Sequence, residues 1–214
     1  MFSRRNLSLA AGMAAAVALT AGALIASTAD ASPLVTPGEA VPGFTGTNSH
    51  GQPVSLADFS GKTIVLEWTN DGCPFVQKHY AAPPSNMQTL QADAAADDVV
   101  WLSVISSAPG KQGHVTGDEA NALTHDRSAA PAHVLLDTAG HIGRLYGAKT
   151  TPHMYVIRAD GTLAYEGAID SKPSSRVDDI ESATNYVRAA LDSVAAGEPV
   201  AVATSKPYGC SVKY

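Results

Sequence analysis

Only two of the 214 residues are cysteine, and no second cysteine stands three positions after the first: Val76 occupies that place after Cys73. A local C-x-x-C redox pair is thereby excluded, as is a scaffold stapled by several bridges. The seven histidines are scattered, with no H-x-x-x-H step and no Cys/His cluster, so no ligand spacing supports a metal site. Charged residues make up 16% of the chain, with a net charge of −6 and a pI near 5.5. That balance lacks the clustered Lys and Arg that a nucleic acid or an anionic membrane surface requires. Internal repeats are absent too. What is present is 45% hydrophobic content in a length that suits one sizeable domain.

The N-terminus carries a targeting pattern. Arg4 and Arg5 precede an Ala-rich apolar stretch over about residues 7–26, and Ala29-Asp30-Ala31 supplies a small-x-small cleavage site. Residues 3–7, S-R-R-N-L, have the form of a twin-arginine export signal. A membrane anchor is the competing reading, but the alanine dominance and the cleavage pattern favour removal after Ala31. Residues 1–31 are therefore expected to be a cleavable export signal. The mature protein is then periplasmic or extracellular, without stable membrane insertion, where disulfides persist. Residues 32–43, with three prolines, should form an extended lead-in.

The rest of the chain alternates strands and helices. A short hairpin is expected within 44–54, a strand at Ile64–Trp68, and a helix from Cys73-Pro74 that breaks at Pro83-Pro84. Ser85 with Gln88 restarts a helix to about Ala96. Val99–Ile105 is a second buried strand, and Thr116 with Glu119 caps a helix to about His125. Strands at His133–Asp137 and His153–Arg158 follow, the latter turning through Asp160-Gly161 into Thr162–Glu166. Ile180, Ala183, Val187, Leu191 and Val194 recur at helical spacing, with Asp178 and Asp179 in the first turn. This order predicts an α/β sandwich, a central mixed sheet flanked by helices, over residues 44–197. Residues 198–214 form a surface tail carrying Cys210.

The organising stretch is Ile64–Tyr80, I-V-L-E-W-T-N-D-G-C-P-F-V-Q-K-H-Y. Proline at the first helical position places Cys73 at a helix N-terminus, where unpaired amides favour a thiolate. Cys73 is thus a candidate nucleophile at an exposed strand–helix turn. A buried structural cysteine is the alternative.

Trp68, Cys73-Pro74-Phe75-Val76 and the later Thr151-Pro152 before a strand resemble the thioredoxin superfamily. The approach segment G-Q-P-V-S-L-A-D-F-S-G-K (residues 51–62) narrows the resemblance to redoxins of the alkyl hydroperoxide reductase/thiol-specific antioxidant family. The resemblance implies a thioredoxin-like fold and thiol-dependent oxidoreductase chemistry without a cofactor. It also implies a cis-proline at Pro152 beside the nucleophile, so that Pro74, Thr151 and Pro152 form the substrate-docking surface. The partners it implies are an external thiol reductant and a peroxide or disulfide substrate; oligomeric state stays open.

The chain departs from two patterns of that superfamily. Peroxiredoxins carry P-x-x-x-T-x-x-C, whereas Leu66, Asn70 and Cys73 stand here, with Thr69 one position early as a candidate for the activating threonine. The copper-delivering relatives need C-x-x-x-C, and residue 77 is Gln. Cys210 is open to three readings: a resolving thiol, a permanent staple to Cys73, or an unpaired thiol. Locked together, the cysteines would suit a non-catalytic binding protein. Arg127 and Arg144 are candidates to steady a peroxide, Glu67 is a candidate proton acceptor on either face of the sheet, and His79 and Tyr80 line the helix.

Overall fold

The computed structural model describes residues 35–81 and 86–214. The expected signal peptide, the start of the lead-in and Ser85 of the expected capping box lie outside the described residues. Among the described residues no helix is long and apolar enough to cross a membrane.

The hairpin forms as β1 (Thr45–Thr47) against β2 (Pro53–Ser55). A 3-10 turn then runs into β3 (Ile64–Trp68), whose five residues are all buried. Helices α1 (Pro74–Tyr80) and α2 (Asn86–Ala96) lead to β4 (Val100–Ile105), and α3 (Gly117–Asp126) leads to β5 (His133–Leu136). The α3 capping box between Thr116 and Glu119 is present as expected. Then come α4 (His141–Tyr146), β6 (Thr150–Thr151), β7 (His153–Ile157), β8 (Leu163–Gly167), α5 (Tyr186–Ala195) and β9 (Cys210–Ser211).

The main sheet has the order β5-β4-β3-β7-β8. β3, β4 and β5 are parallel, which requires the helical crossovers between them, while β7 and β8 add antiparallel. β3 is central and its residues alternate between faces. Ile64, Leu66 and Trp68 join Leu102, Val104, Tyr155, α4 and the hairpin in one core. Val65 joins Met154, Val156 and the apolar sides of α1, α2 and α5 in the other. This is the expected sandwich with a mixed sheet.

Two expectations need correction. The last helix does not start near Asp178. The run Ser182 to Asn185 is polar, the Thr184 carbonyl pairs with the Ser171 amide, and the Asn185 side chain caps α5 by accepting from the Arg188 amide at 3.0 Å. Ile180 and Ala183 therefore precede the helix, and Asp179 is held by Arg176 at 2.7 Å instead of facing a helix end.

The second correction concerns the tail. It does not simply cross the surface but pairs three times with the domain: Thr204 with Glu166, β9 antiparallel with β6, and Lys213 with Ser107. Tyr214 then seats its ring over Gly140 and Gly143, where a β-carbon would collide with it, and its hydroxyl donates to the Ala148 carbonyl at 2.8 Å.

Candidate active site

The end of β3 is pinned before the turn begins. Trp68 donates its indole N–H to Ser106 Oγ at 3.0 Å, and Ser106 donates to the Asp137 carboxylate at 2.6 Å. The turn after it is built by Asn70, whose side-chain oxygen accepts the Gly72 amide at 2.9 Å while its carbonyl accepts the Cys73 amide at 3.0 Å. Gln112 holds the turn from outside, donating to the Gly72 carbonyl at 2.7 Å. These contacts fix where α1 starts, with Cys73 as its N-cap and Pro74 in the first turn.

Cys73 is fully buried, which overturns the expected exposure at the strand–helix turn. The cover is the chain's own tail. Antiparallel pairing of β9 with β6 sets Cys210 opposite Thr151, directly before Pro152, and the Thr151–Pro152 peptide is cis. The Thr151 carbonyl lies 3.1 Å from Cys73 Sγ and accepts from it when the thiol is protonated. The two cysteines are free thiols, and Cys210 packs against the buried cluster that holds Cys73.

Their ionisation is displaced in opposite directions. Burial works to raise the Cys73 pKa, but hydrogen bonds from the Cys210 thiol and amide, the Val76 amide and Thr151 outweigh it, leaving it below the ordinary thiol value. Cys210 is pushed up to about 11, by burial first and then by its hydrogen bond to Cys73 and the charge there. Each shift has the other cysteine among its causes, so Cys73 is the more acidic of the two thiols and Cys210 the less. The more acidic thiol is the better leaving group, so once an oxidant has joined the two sulfurs, reduction of the bridge by an external thiol releases Cys73.

The other candidates fall elsewhere. Thr69 is not brought to the sulfur: its buried hydroxyl has no hydrogen-bond partner and opens into a small cavity lined by Ile105, Val115, Leu123, Arg127 and Val134. Glu67 faces the α1/α2 side of the sheet. It accepts from Tyr80 at 2.8 Å, Trp101 at 2.9 Å, Ser103 at 3.0 Å and Gln91 at 3.3 Å, as a satisfied structural carboxylate. Arg127 lies over the Tyr80 ring and Arg144 over the Tyr214 ring, so neither candidate arginine is engaged with Cys73. Among the described residues no group of three or more His, Cys, Asp or Glu is placed to hold a metal ion.

Two buried residues escape sequence reasoning. Lys78 and His79 have fully buried side chains in the last turn of α1, Lys78 paired with Asp170 at 3.1 Å. Nothing in the pattern of α1 distinguishes them from solvated residues, because the elements covering them, the 170–173 loop and the tail, are distant in sequence.

Comparison with known proteins supports the fold and identifies the family. The chain is similar to an uncharacterized conserved protein from Geobacillus kaustophilus, 25% identical with a TM-score of 0.72, over 84% of this chain and 92% of that one. It is also similar to a hypothetical protein from Sinorhizobium meliloti 1021, 22% identical with a TM-score of 0.71, over 84% and 95% of the two chains. A secreted disulfide oxidoreductase of Mycobacterium tuberculosis matches more distantly, 24% identical with a TM-score of 0.45, over 56% and 79%. No curated protein matches the chain. Residues 37–166, which carry β3, Cys73 and the cis-proline loop on a thioredoxin-like sheet, match the AhpC/TSA family of redoxins, and the chain belongs to that family.

Proposed function

We propose that the protein is an exported thiol oxidoreductase in which Cys73 is the nucleophile and Cys210 the resolving thiol. The observation that carries this reading is the pairing of β9 with β6, which sets Cys210 opposite Thr151, whose carbonyl lies 3.1 Å from Cys73 Sγ. The Cys73 thiolate attacks the outer oxygen of a hydroperoxide, the O–O bond breaks, and alkoxide (or hydroxide) leaves and is protonated. Cys73 is then a sulfenic acid. Cys210 attacks its sulfur, water leaves, and a Cys73–Cys210 bridge remains. Two equivalents of an external thiol reduce the bridge and become a disulfide.

A small oxidant fits the closed site best. Cys73 is buried, and β9 occupies the strand position beside Pro152 on which an extended protein substrate would dock. Disulfide exchange with a protein is the second reading, and it requires β9 to leave β6. In either case Pro74, Thr151 and Pro152 line the approach to the sulfur, as the family resemblance implies.

The test is a redox equilibrium of the mature protein in glutathione buffers, read by mass and peptide mapping. A Cys73–Cys210 bridge with a potential near or above about −230 mV supports a working couple. A bridge that stays closed below about −300 mV makes it a staple and supports a non-catalytic role. Oxidation rates with hydrogen peroxide and with oxidised insulin then separate the two substrate classes.

A further inference from the structure

The helix that carries the nucleophile also carries a buried polar cluster that the redox chemistry does not use. Cys73 caps the N-terminal end of α1, and Lys78 and His79 stand in its last turn. The Lys78 ammonium pairs with Asp170 Oδ2 at 3.1 Å and donates to the Lys172 carbonyl at 3.0 Å. The other carboxylate oxygen, Oδ1, accepts from the Lys172 amide at 2.9 Å and from the Tyr208 hydroxyl at 2.5 Å. His79 completes the set. Its Nδ1 accepts from the Asn86 side-chain amide at 2.8 Å, which leaves the proton on Nε2, 3.3 Å from the Tyr208 oxygen. Tyr208 thus donates to Asp170 and accepts from His79.

Tyr208 belongs to the tail, two residues before Cys210. Its ring meets Phe75 edge-on at 5.9 Å, and Lys78 Nζ lies 5.7 Å from the ring centroid. Gly209, the only residue between, has φ +130°, and the space against Thr151 leaves no room for a β-carbon. None of the groups in the cluster appears among those that lower the Cys73 pKa. Burying an ion pair costs desolvation, and such pairs are best justified by the arrangement they specify. What this one specifies is the position of the tail relative to α1.

We propose that Tyr208 is a positioning residue: it hangs the tail on Asp170 and His79 and so holds the Cys210 thiol over Cys73. Because α1 carries both Cys73 at its N-cap and His79 in its last turn, the anchor and the nucleophile belong to one rigid element. The two thiols are then presented to each other at high effective concentration, as in any reaction made intramolecular by a fixed geometry. The proposal rests on the Cys73–Cys210 couple inferred above.

The test compares wild type with Tyr208→Phe, which keeps the ring and removes the hydroxyl. Two quantities are read: the equilibrium constant of the Cys73–Cys210 bridge against glutathione, and the alkylation rate of Cys73 in the reduced protein by a bulky maleimide, located by peptide mapping. The bridge constant should fall about tenfold, which raises the potential by about 30 mV. The alkylation of Cys73 should accelerate by a similar factor. Val187→Ala, a core truncation in α5 away from the tail, should lower the melting temperature and move neither quantity. Unchanged values in Tyr208→Phe, or equal changes in Val187→Ala, overturn the proposal. If wild type forms no bridge, the redox reading falls, and the maleimide ratio alone decides whether Tyr208 holds the tail.

Discussion

Gly209 lies against the Thr151 carbonyl so closely that a β-carbon there would collide with both its oxygen and its carbon. Its φ of +130° is also one that other residues rarely adopt. Gly209→Ala should therefore lift β9 from β6 and separate the two thiols. The glutathione equilibrium constant of the bridge is expected to drop at least tenfold, with Cys73 becoming accessible to a bulky maleimide. A bridge constant equal to that of wild type would show that β9 tolerates the extra carbon.

The thiol of Cys210 is the first of the hydrogen-bond donors that lower the Cys73 pKa. Cys210→Ala removes that donor and leaves the backbone amide. The midpoint of Cys73 alkylation by iodoacetamide, followed against pH, should move upward in the variant, since the thiolate loses a donor while most of its burial remains. An unmoved midpoint would remove Cys210 from the electrostatics of the site.

Reduction of the bridge should begin at Cys210. Its side chain is partly exposed whereas Cys73 is buried, and Cys73 is the better leaving group because its pKa is the lower. Oxidised protein mixed briefly with glutathione and quenched in acid should carry the glutathionyl group on Cys210. Finding it on Cys73 would reverse the assignment.

His79 is neutral in the folded protein, its pKa lowered to about 4 by burial, with Asp170 opposing and Lys78 adding to the shift. The unfolded chain takes up the proton near pH 6.5, so between pH 6.5 and 4 it binds more protons than the native state. Stability is then complete above pH 6.5 and falls with acidification, by on the order of 3 kcal/mol at pH 4 and below. Urea midpoints measured across this window should show the loss, and His79→Gln should flatten it.

Lys78→Met leaves the buried Asp170 carboxylate without its cation, although Tyr208 and the Lys172 amide still donate to it. A loss of about 3 kcal/mol is expected in urea unfolding. Adding Asp170→Asn should restore much of it. A near-neutral single variant would indicate that the carboxylate does not need Lys78.

The parts of the fold read correctly from sequence are those set by neighbours in the chain. β3 is a short run dominated by β-branched, aliphatic and aromatic residues; the Thr116–Glu119 box and the Asp160-Gly161 turn are local hydrogen-bond and φ requirements. The start of α1 at Cys73-Pro74 belongs with them. What escaped depends on partners far along the chain. Whether Glu67 is structural is decided by Tyr80, Gln91, Trp101 and Ser103, which meet it from three other elements. Thr69 stands one residue before Asn70, and its hydroxyl, without a hydrogen-bond partner, belongs to a residue lining a small cavity with Arg127 and Val134. The burial of Cys73 was hidden for the same reason: Gly140, Gly143, Gly167 and Gly209 lie along the path of the tail, but without the fold they are ordinary turn glycines.

The tail and the lead-in also settle how the sheet ends. β8 is an outer strand, and its backbone is met by residues 38–39 at Leu163 and by residues 203–205 at Glu166; at the opposite border, Asn48 and Ser49 bond to β5. Unpaired outer strands invite another chain to add on and grow into aggregates. Here both borders are partly occupied by the chain's own connecting segments. The contacts at 203–205 stand upstream of Lys206-Pro207, and those over the sulfur stand downstream. The border of β8 is therefore closed by a different stretch of the tail from the one that packs over the sulfur.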